Sequence, residues 1–223
     1  MSSATITTSA RLINSTPQTE EQAMVRKVAV SSFLGNFIEW FDYASYSYFA
    51  TTIALVFFPT DNHTVAMLQT FGVVALSFIL RPIGALFWGS YGDKKGRKAA
   101  LAHSIMFMSG ASFLIGCLPS YSVIGVGAPI LLLLLRMVQG FSASGEYAGA
   151  ATFLGEYAPT SKRGIYCSLI PASTAIGLLA GSTLATLMTA NMNSSAMVGW
   201  GWRVPFLLAG PLGLIVLYIR AKL

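Results

Sequence analysis

The sequence predicts an all-α membrane protein of six transmembrane helices, and three observations carry the prediction. Of its 223 residues, 54% are hydrophobic and only 10% are charged, against roughly 45–50% and 25% in ordinary soluble domains. Apolar stretches longer than about 18 residues recur six times, and hydrocarbon, which offers no water to an open backbone, admits such stretches only as helices. The basic residues between them gather on one side when the helices alternate in direction.

The stretches fall at about 28–58, 65–89, 99–118, 127–153, 165–189 and 203–220. Residues 1–25 are polar and rich in Ser and Thr, and they lack the basic start and apolar core of a signal peptide. They read as a cytoplasmic tail ahead of one six-helix domain, 26–223. Arg11, Arg26, Lys27, the cluster Lys94, Lys95, Arg97 and Lys98, then Lys162, Arg163, Arg220 and Lys222 share one side, whereas the opposite loops hold only Asp61, His63 and Arg203. The positive-inside rule therefore predicts both termini in the cytoplasm, in an inner membrane. That distribution also accounts for the net charge of +6 without nucleic acid. Cys117 and Cys167 have no metal-ligand or redox spacing and read as small apolar residues. With no nucleophile elbow, phosphate-cradling loop or metal-ligand cluster, the sequence predicts no enzyme, no metal and no cofactor.

Five charges remain inside the apolar stretches: Glu39 and Asp42 on the first helix, Arg81 on the second, and Arg136 and Glu146 on the fourth. Each costs roughly 2.5–3.5 kcal/mol at the bilayer centre, so each should face the bundle interior and meet a partner. With a rise of about 1.5 Å per residue, Asp42 and Arg136 come out at one level and Glu39 and Arg81 at another. Asn36, Glu39, Tyr43 and Tyr46 follow helical spacing, as do Arg136, Gln139, Gly140, Ala143, Glu146 and Tyr147. Two readings are open: structural ion pairs that fix helix register, or groups lining a watered path in which a carboxylate is protonated, releases its Arg and couples proton flow to a change of shape.

The loop GSYGDKKGRK, Gly89 to Lys98, requires a tight turn at Gly92 and Gly96. Its pattern of Gly89, Asp93, Lys94, Gly96, Arg97 and Lys98 resembles the signature loop of the major facilitator superfamily. RMVQGFSASGEYAGA from Arg136, GEYAPTSKRG from Gly155, WGWRVPF from Trp200, NFIEWFDY, and the Arg-Pro-x-Gly at Arg81 to Gly84 look like the metabolite:proton symporter branch. Within it the chain is nearest in look to proline and glycine-betaine transporters, over residues 26–220.

The resemblance implies that Asp42 and Arg136 form a protonation-controlled pair beside the binding cavity, with Glu39 also in proton coupling. It implies a substrate site drawn from Arg81, Tyr43, Gln139, Glu146 and Tyr147. It further implies a conformational latch in which Asp93 contacts the carboxy-terminal half and Arg97 pairs with Glu156, on a gating loop with Gly89, Gly96 and Arg163. Lys94, Lys95 and Lys98 read as topology charges. Tyr43, Tyr46, Tyr147 and Trp40 are open to two readings, a cavity that meets a quaternary ammonium through ring faces or plain bundle core and interfacial belt. Gly177 and Gly181 read as close helix packing, and His103 as a packed or interfacial residue.

A transporter of this superfamily has twelve helices in two six-helix domains, with substrate between them. Six helices therefore imply the amino-terminal half: a shortened gene product, one half that pairs with another chain, or a parallel homodimer. The expected function is proton-coupled symport of a small polar metabolite, either a proline- or betaine-like zwitterion or an organic acid, with the half inactive alone. The alternatives are a facilitator or exchanger without proton coupling, and a half-transporter that acts as an interaction or regulatory subunit. The expected partners are the metabolite, protons and membrane lipid.

Overall fold

The computed structural model describes the backbone of residues 3–222 and the side chains of residues 22–222, so Arg11 and most of the expected polar tail lie outside the described side chains. The first pass is α1 (Ser3–Tyr48) continued by α2 (Ala50–Phe57). The second is α3 (His63–Ile79) and α4 (Arg81–Lys95), and the third is α5 (Arg97–Cys117). After the short α6 (Tyr121–Ile124), the fourth pass is α7 (Gly127–Ala143) and α8 (Glu146–Tyr157). The fifth is α9 (Arg163–Cys167) and α10 (Leu169–Asn191), and α11 (Ser194–Gly199) leads to the sixth, α12 (Val204–Ala221). Among the described residues there is no strand.

Several passes are divided where the sequence suggested single helices. Pro82 sits in the first turn of α4 and Pro171 in that of α10, where a missing N–H removes a backbone hydrogen bond and the ring crowds the turn before it. The chain direction survives these joints, because Gly84 N–H still donates to Leu80 O at 2.9 Å, and Ile53 N–H to Phe49 O at 2.9 Å across the α1–α2 joint.

Among the described residues, five helical stretches are long and apolar enough to cross a membrane: His63–Lys95, Arg97–Cys117, Gly127–Tyr157, Thr160–Asn191 and Gly201–Ala221. The first pass is more polar because its middle carries Asn36, Glu39, Asp42, three tyrosines and two serines. It is nonetheless packed inside the bundle, with Val28, Ile38, Tyr46 and Phe57 fully buried. The outer surface is apolar instead: Leu68, Ile79, Ile83 and Leu86 on the second pass are all exposed, as a lipid-facing surface requires.

The buried apolar residues form three layers. One end holds Tyr46, Phe57, Ile115, Leu132, Trp202 and Phe206. The middle holds Ile38, Ile105, Met108 and Val216. The end where α12 finishes holds Val28, Leu101, Leu154 and Ile170. Helices α1 and α10 approach closely through Gly177 and Gly181: a Cβ at Gly177 would stand 2.7 Å from Phe37 O, and one at Gly181 would stand 2.6 Å from Ala44 Cβ. The expected packing role of these glycines follows from that geometry.

Candidate functional site

The polar interior is a set of three ion pairs, each joining two passes. At the level between the middle layer and the Trp202 layer, Arg136 Nη1 on α7 donates to Asp42 Oδ2 on α1 at 2.5 Å. Asp42 Oδ1 also accepts from Ser112 Oγ at 2.9 Å and from Gln139 Nε2 at 3.2 Å, and Gln139 donates to Ser112 as well. The guanidinium lies 4.0 Å from the ring centre of Tyr46 and 5.5 Å from that of Phe206, so aromatic faces cover it where water would otherwise reach. The side chains are 1% and 5% exposed. The equal depth inferred from the sequence corresponds to direct contact, and the seam between these two residues is closed over by side chains.

One turn away, Arg81 Nη2 at the start of α4 donates to Glu39 Oε1 at 2.5 Å. This pair is not closed: Glu39 is buried, but the Arg81 side chain is 23% exposed. Its guanidinium carbon stands 4.5 Å from the Phe78 ring centre and 5.1 Å from that of Tyr43. Trp40 stands beside Tyr43, with ring centres 6.1 Å apart.

The third pair was not expected from the sequence. Glu146 on α8, assigned above to a substrate site, is buried against Arg220 near the end of α12. Arg220 Nη2 and Nη1 both donate to the carboxylate, and Ser104 Oγ donates to Glu146 Oε2 at 3.2 Å. Arg220 also donates to the backbone oxygens of Leu101 and Ser31. Arg220 was read as a loop charge that sets topology; here it is a fully buried clamp on four passes, because a guanidinium carries enough donors to serve a carboxylate and two carbonyls together. Tyr147, one residue beyond Glu146, points elsewhere and is 44% exposed.

The loop motif is assembled as well. Gly96 has φ +92°, a conformation that favours glycine, and it forms the turn between α4 and α5. Gly92 instead lies within α4, where an added Cβ would make ordinary contact with Ala100. Arg97 Nε donates to Glu156 Oε1 at 3.1 Å, and its Nη2 lies 3.7 Å from Asp93 Oδ1. Asp93, Gly89 and Arg163 are exposed, and Arg163 has no ion-pair partner among the described residues. His103 sits on α5 with Nδ1 2.8 Å from Ala99 O, edge-on to Tyr91.

Sequence reasoning missed Ser104 and Ser112. They lie eight residues apart on one face of α5, and each donates to one of the buried acids. Two serines at that spacing in an apolar helix were the available signal. Asn36, read from the sequence only as part of the polar stripe of the first helix, donates its amide to Ile170 O at 3.0 Å and to Ser173 and Thr174 hydroxyls at 2.8 Å, tying α1 to α10.

Comparison with known proteins places this arrangement. The sugar (and other) transporter family matches residues 27–223. The chain is 43% identical over 203 residues to the glycine betaine/proline/ectoine/pipecolic acid transporter OusA of Dickeya dadantii, covering 91% of this chain and 40% of that protein. It is 42% identical to the proline/betaine transporter of Salmonella typhimurium, covering 91% and 41%. Among solved structures, the proton:xylose symporter XylE bound to 6-bromo-6-deoxy-D-glucose superimposes with a TM-score of 0.80 at 16% identity, covering 91% of this chain and 45% of that one. A partially occluded inward-open form of XylE from E. coli gives 0.79 at 18% identity, covering 89% and 50%. The chain thus spans about 40% of the length of these curated relatives. The family and these relatives are transporters and not enzymes. The chain belongs to the sugar (and other) transporter family, and its helices form a half, the amino-terminal one, of a major facilitator fold.

Proposed function

We propose that the chain is the amino-terminal half of a proton-coupled symporter for a small polar metabolite, a proline- or betaine-like zwitterion or an organic acid, in the inner membrane with both termini cytoplasmic. The substrates in the names of its relatives support the solute class, and the single observation that carries the coupling is the closed Asp42–Arg136 pair. Protonating Asp42 would leave Arg136 as a buried cation without an ionic partner, and its Nε and Nη2 already lack hydrogen-bond partners among the described residues. Removing one member of a buried pair costs about 3–5 kcal/mol. At about 1.4 kcal/mol per tenfold, that shifts a two-state equilibrium by roughly two to four powers of ten. Protonation therefore favours conformations in which Arg136 meets another anion, and a substrate carboxylate supplies one.

In this reading Asp93 and the Arg97–Glu156 contact latch the loop against a second six-helix half, contributed by a further stretch of chain, another chain or a second copy. Without that half the chain accumulates nothing. Proteoliposomes test both statements. With the chain joined to a second half, Asp42→Asn abolishes accumulation driven by a pH gradient and retains exchange; accumulation unchanged by Asp42→Asn assigns the pair to helix register alone. Saturable proton-driven uptake by the monomeric chain overturns the dependence on a second half.

A further inference from the structure

We propose that Glu39 and Arg81 form a receptor for a zwitterion, in which the substrate's carboxylate replaces Glu39 at Arg81 while its ammonium replaces Arg81 at Glu39. The inference rests on the transport reading above and chooses between its two solute classes. It also moves Glu39 from proton coupling to solute recognition.

Three observations lead there. First, of the three buried carboxylates, only Glu39 is paired with a base that reaches the surface of the half, at 23% side-chain exposure; the Asp42 and Glu146 pairs are shut on all sides. Secondly, four of the twelve buried side-chain polar atoms without a hydrogen-bond partner among the described residues belong to this cluster. Glu39 Oε2 is a buried acceptor without a donor, and Arg81 Nε, Trp40 Nε1 and Tyr43 Oη are buried donors without an acceptor. Buried polar groups without partners are rare in folded proteins, and here free donors and a free acceptor occur together, as a ligand carrying both charges needs. Thirdly, the aromatic rings already accept a cation: the Arg81 guanidinium lies over Tyr43 and Phe78, and Trp40 extends that surface beside Tyr43. Ring faces bind ammonium and guanidinium by the same quadrupole attraction.

Charge balance decides the solute class. The pair is neutral, and so is a zwitterion, so opening one salt bridge to form two leaves no unpaired charge in a poorly solvated place. A dicarboxylate would bring two negative charges beside Glu39, and a simple cation would leave Arg81 without an anion. Each is excluded by the penalty on an unpaired charge in low dielectric.

Equilibrium binding to the 223-residue chain in nanodiscs tests the exchange, with glycine betaine as probe and Trp fluorescence and calorimetry as readouts. The comparison ligands are 3,3-dimethylbutyrate, which has betaine's shape with carbon in place of the cationic nitrogen, choline, which has no carboxylate, and succinate. The unmutated chain binds betaine saturably and at least about tenfold more tightly than 3,3-dimethylbutyrate, the loss expected when the cation facing the Glu39 carboxylate and the aromatic rings is replaced by neutral carbon. Glu39→Gln brings betaine down to the level of 3,3-dimethylbutyrate and leaves the latter unchanged, whereas Arg81→Gln weakens both. Absence of saturable betaine binding, equal affinity for betaine and 3,3-dimethylbutyrate, or tighter binding of succinate overturns the proposal. The ligand comparison on the unmutated chain decides the matter even where Glu39→Gln fails to fold. No pH gradient or flux enters these measurements, so loss of proton coupling leaves them intact, and their failure leaves symport of an organic acid standing.

Discussion

Substituting Arg220 should destabilise the bundle strongly, because its buried guanidinium serves a carboxylate and two backbone carbonyls at once. Replacing it by Met keeps most of the apolar stem and removes the guanidinium. Glu146 then retains only the Ser104 hydroxyl at 3.2 Å, and the Leu101 and Ser31 carbonyls lose a donor. A buried carboxylate left without its cation costs about 3–5 kcal/mol. Glu146→Gln is milder: Arg220 keeps both carbonyl acceptors and meets a neutral oxygen, so the loss is that of charge-assisted bonding, about 1.5–3 kcal/mol. The double variant Glu146→Gln/Arg220→Met removes both charges together and falls short of the sum, because the penalty in Arg220→Met alone is the stranded carboxylate. Equilibrium unfolding of the purified chain in mixed detergent micelles, followed by far-ultraviolet circular dichroism, measures all three. If the double variant equals or exceeds the sum of the singles, or if Arg220→Met costs under about 1 kcal/mol, the buried clamp does not hold the four passes together.

Two further outcomes follow in the same assay. Gly181→Leu should cost more than a typical buried substitution, about 3 kcal/mol or above, because its Cβ would stand 2.6 Å from Ala44 Cβ and 3.0 Å from Phe41 O, and backbone cannot yield as a side chain does; a loss below about 1 kcal/mol would show that α1 and α10 have room to separate. Glu156→Gln should change stability by no more than about 1 kcal/mol, since its pair with Arg97 is exposed, 36% and 51% for the two side chains; a larger loss would make that contact part of the isolated half's stability.

Much of the site was legible because a membrane imposes one coordinate. Where helices stand roughly along the normal, sequence position converts to depth, and charges at one depth have few partners to choose from. Asp42 met Arg136 and Glu39 met Arg81 on that argument. The same arithmetic held the third pair unread: counted from the starts of their passes, which lie on the same side of the bundle, Glu146 lies about 28 Å along the fourth pass and Arg220 about 26 Å along the sixth. The positive-inside rule obscured it, because it treats a basic residue at a helix end as solvated, and Arg220 is buried. Azimuth was legible only in part. Arg136, Gln139, Gly140, Ala143 and Glu146 share a buried face, but Tyr147, which regular helical spacing places on the same stripe, is exposed beyond the break between α7 and α8. What the sequence does not encode locally is cover: that Phe206 on the sixth pass closes over Arg136, while Arg81 stays partly open, depends on helices far apart in the chain.

Cover, and not the presence of charge, separates the roles of the three pairs. Each is a neutral couple of one acid and one base, so each enters the membrane interior without net charge, and each holds two or more passes in register. The Glu146–Arg220 couple is shut and bonded to backbone on two further passes, which leaves it no easy second arrangement. The Asp42–Arg136 couple is shut but bonded mainly to side chains, Ser112 and Gln139, with two guanidinium nitrogens free; it can change partners if its carboxylate takes a proton. Of the three couples, Glu39–Arg81 alone is partly open, which is the feature the proposed receptor rests on. In the proposed reading, a clamp, a coupling pair and a receptor differ in how many backbone atoms and how much side-chain cover each couple has, within one bundle whose charged residues are otherwise of the same kinds.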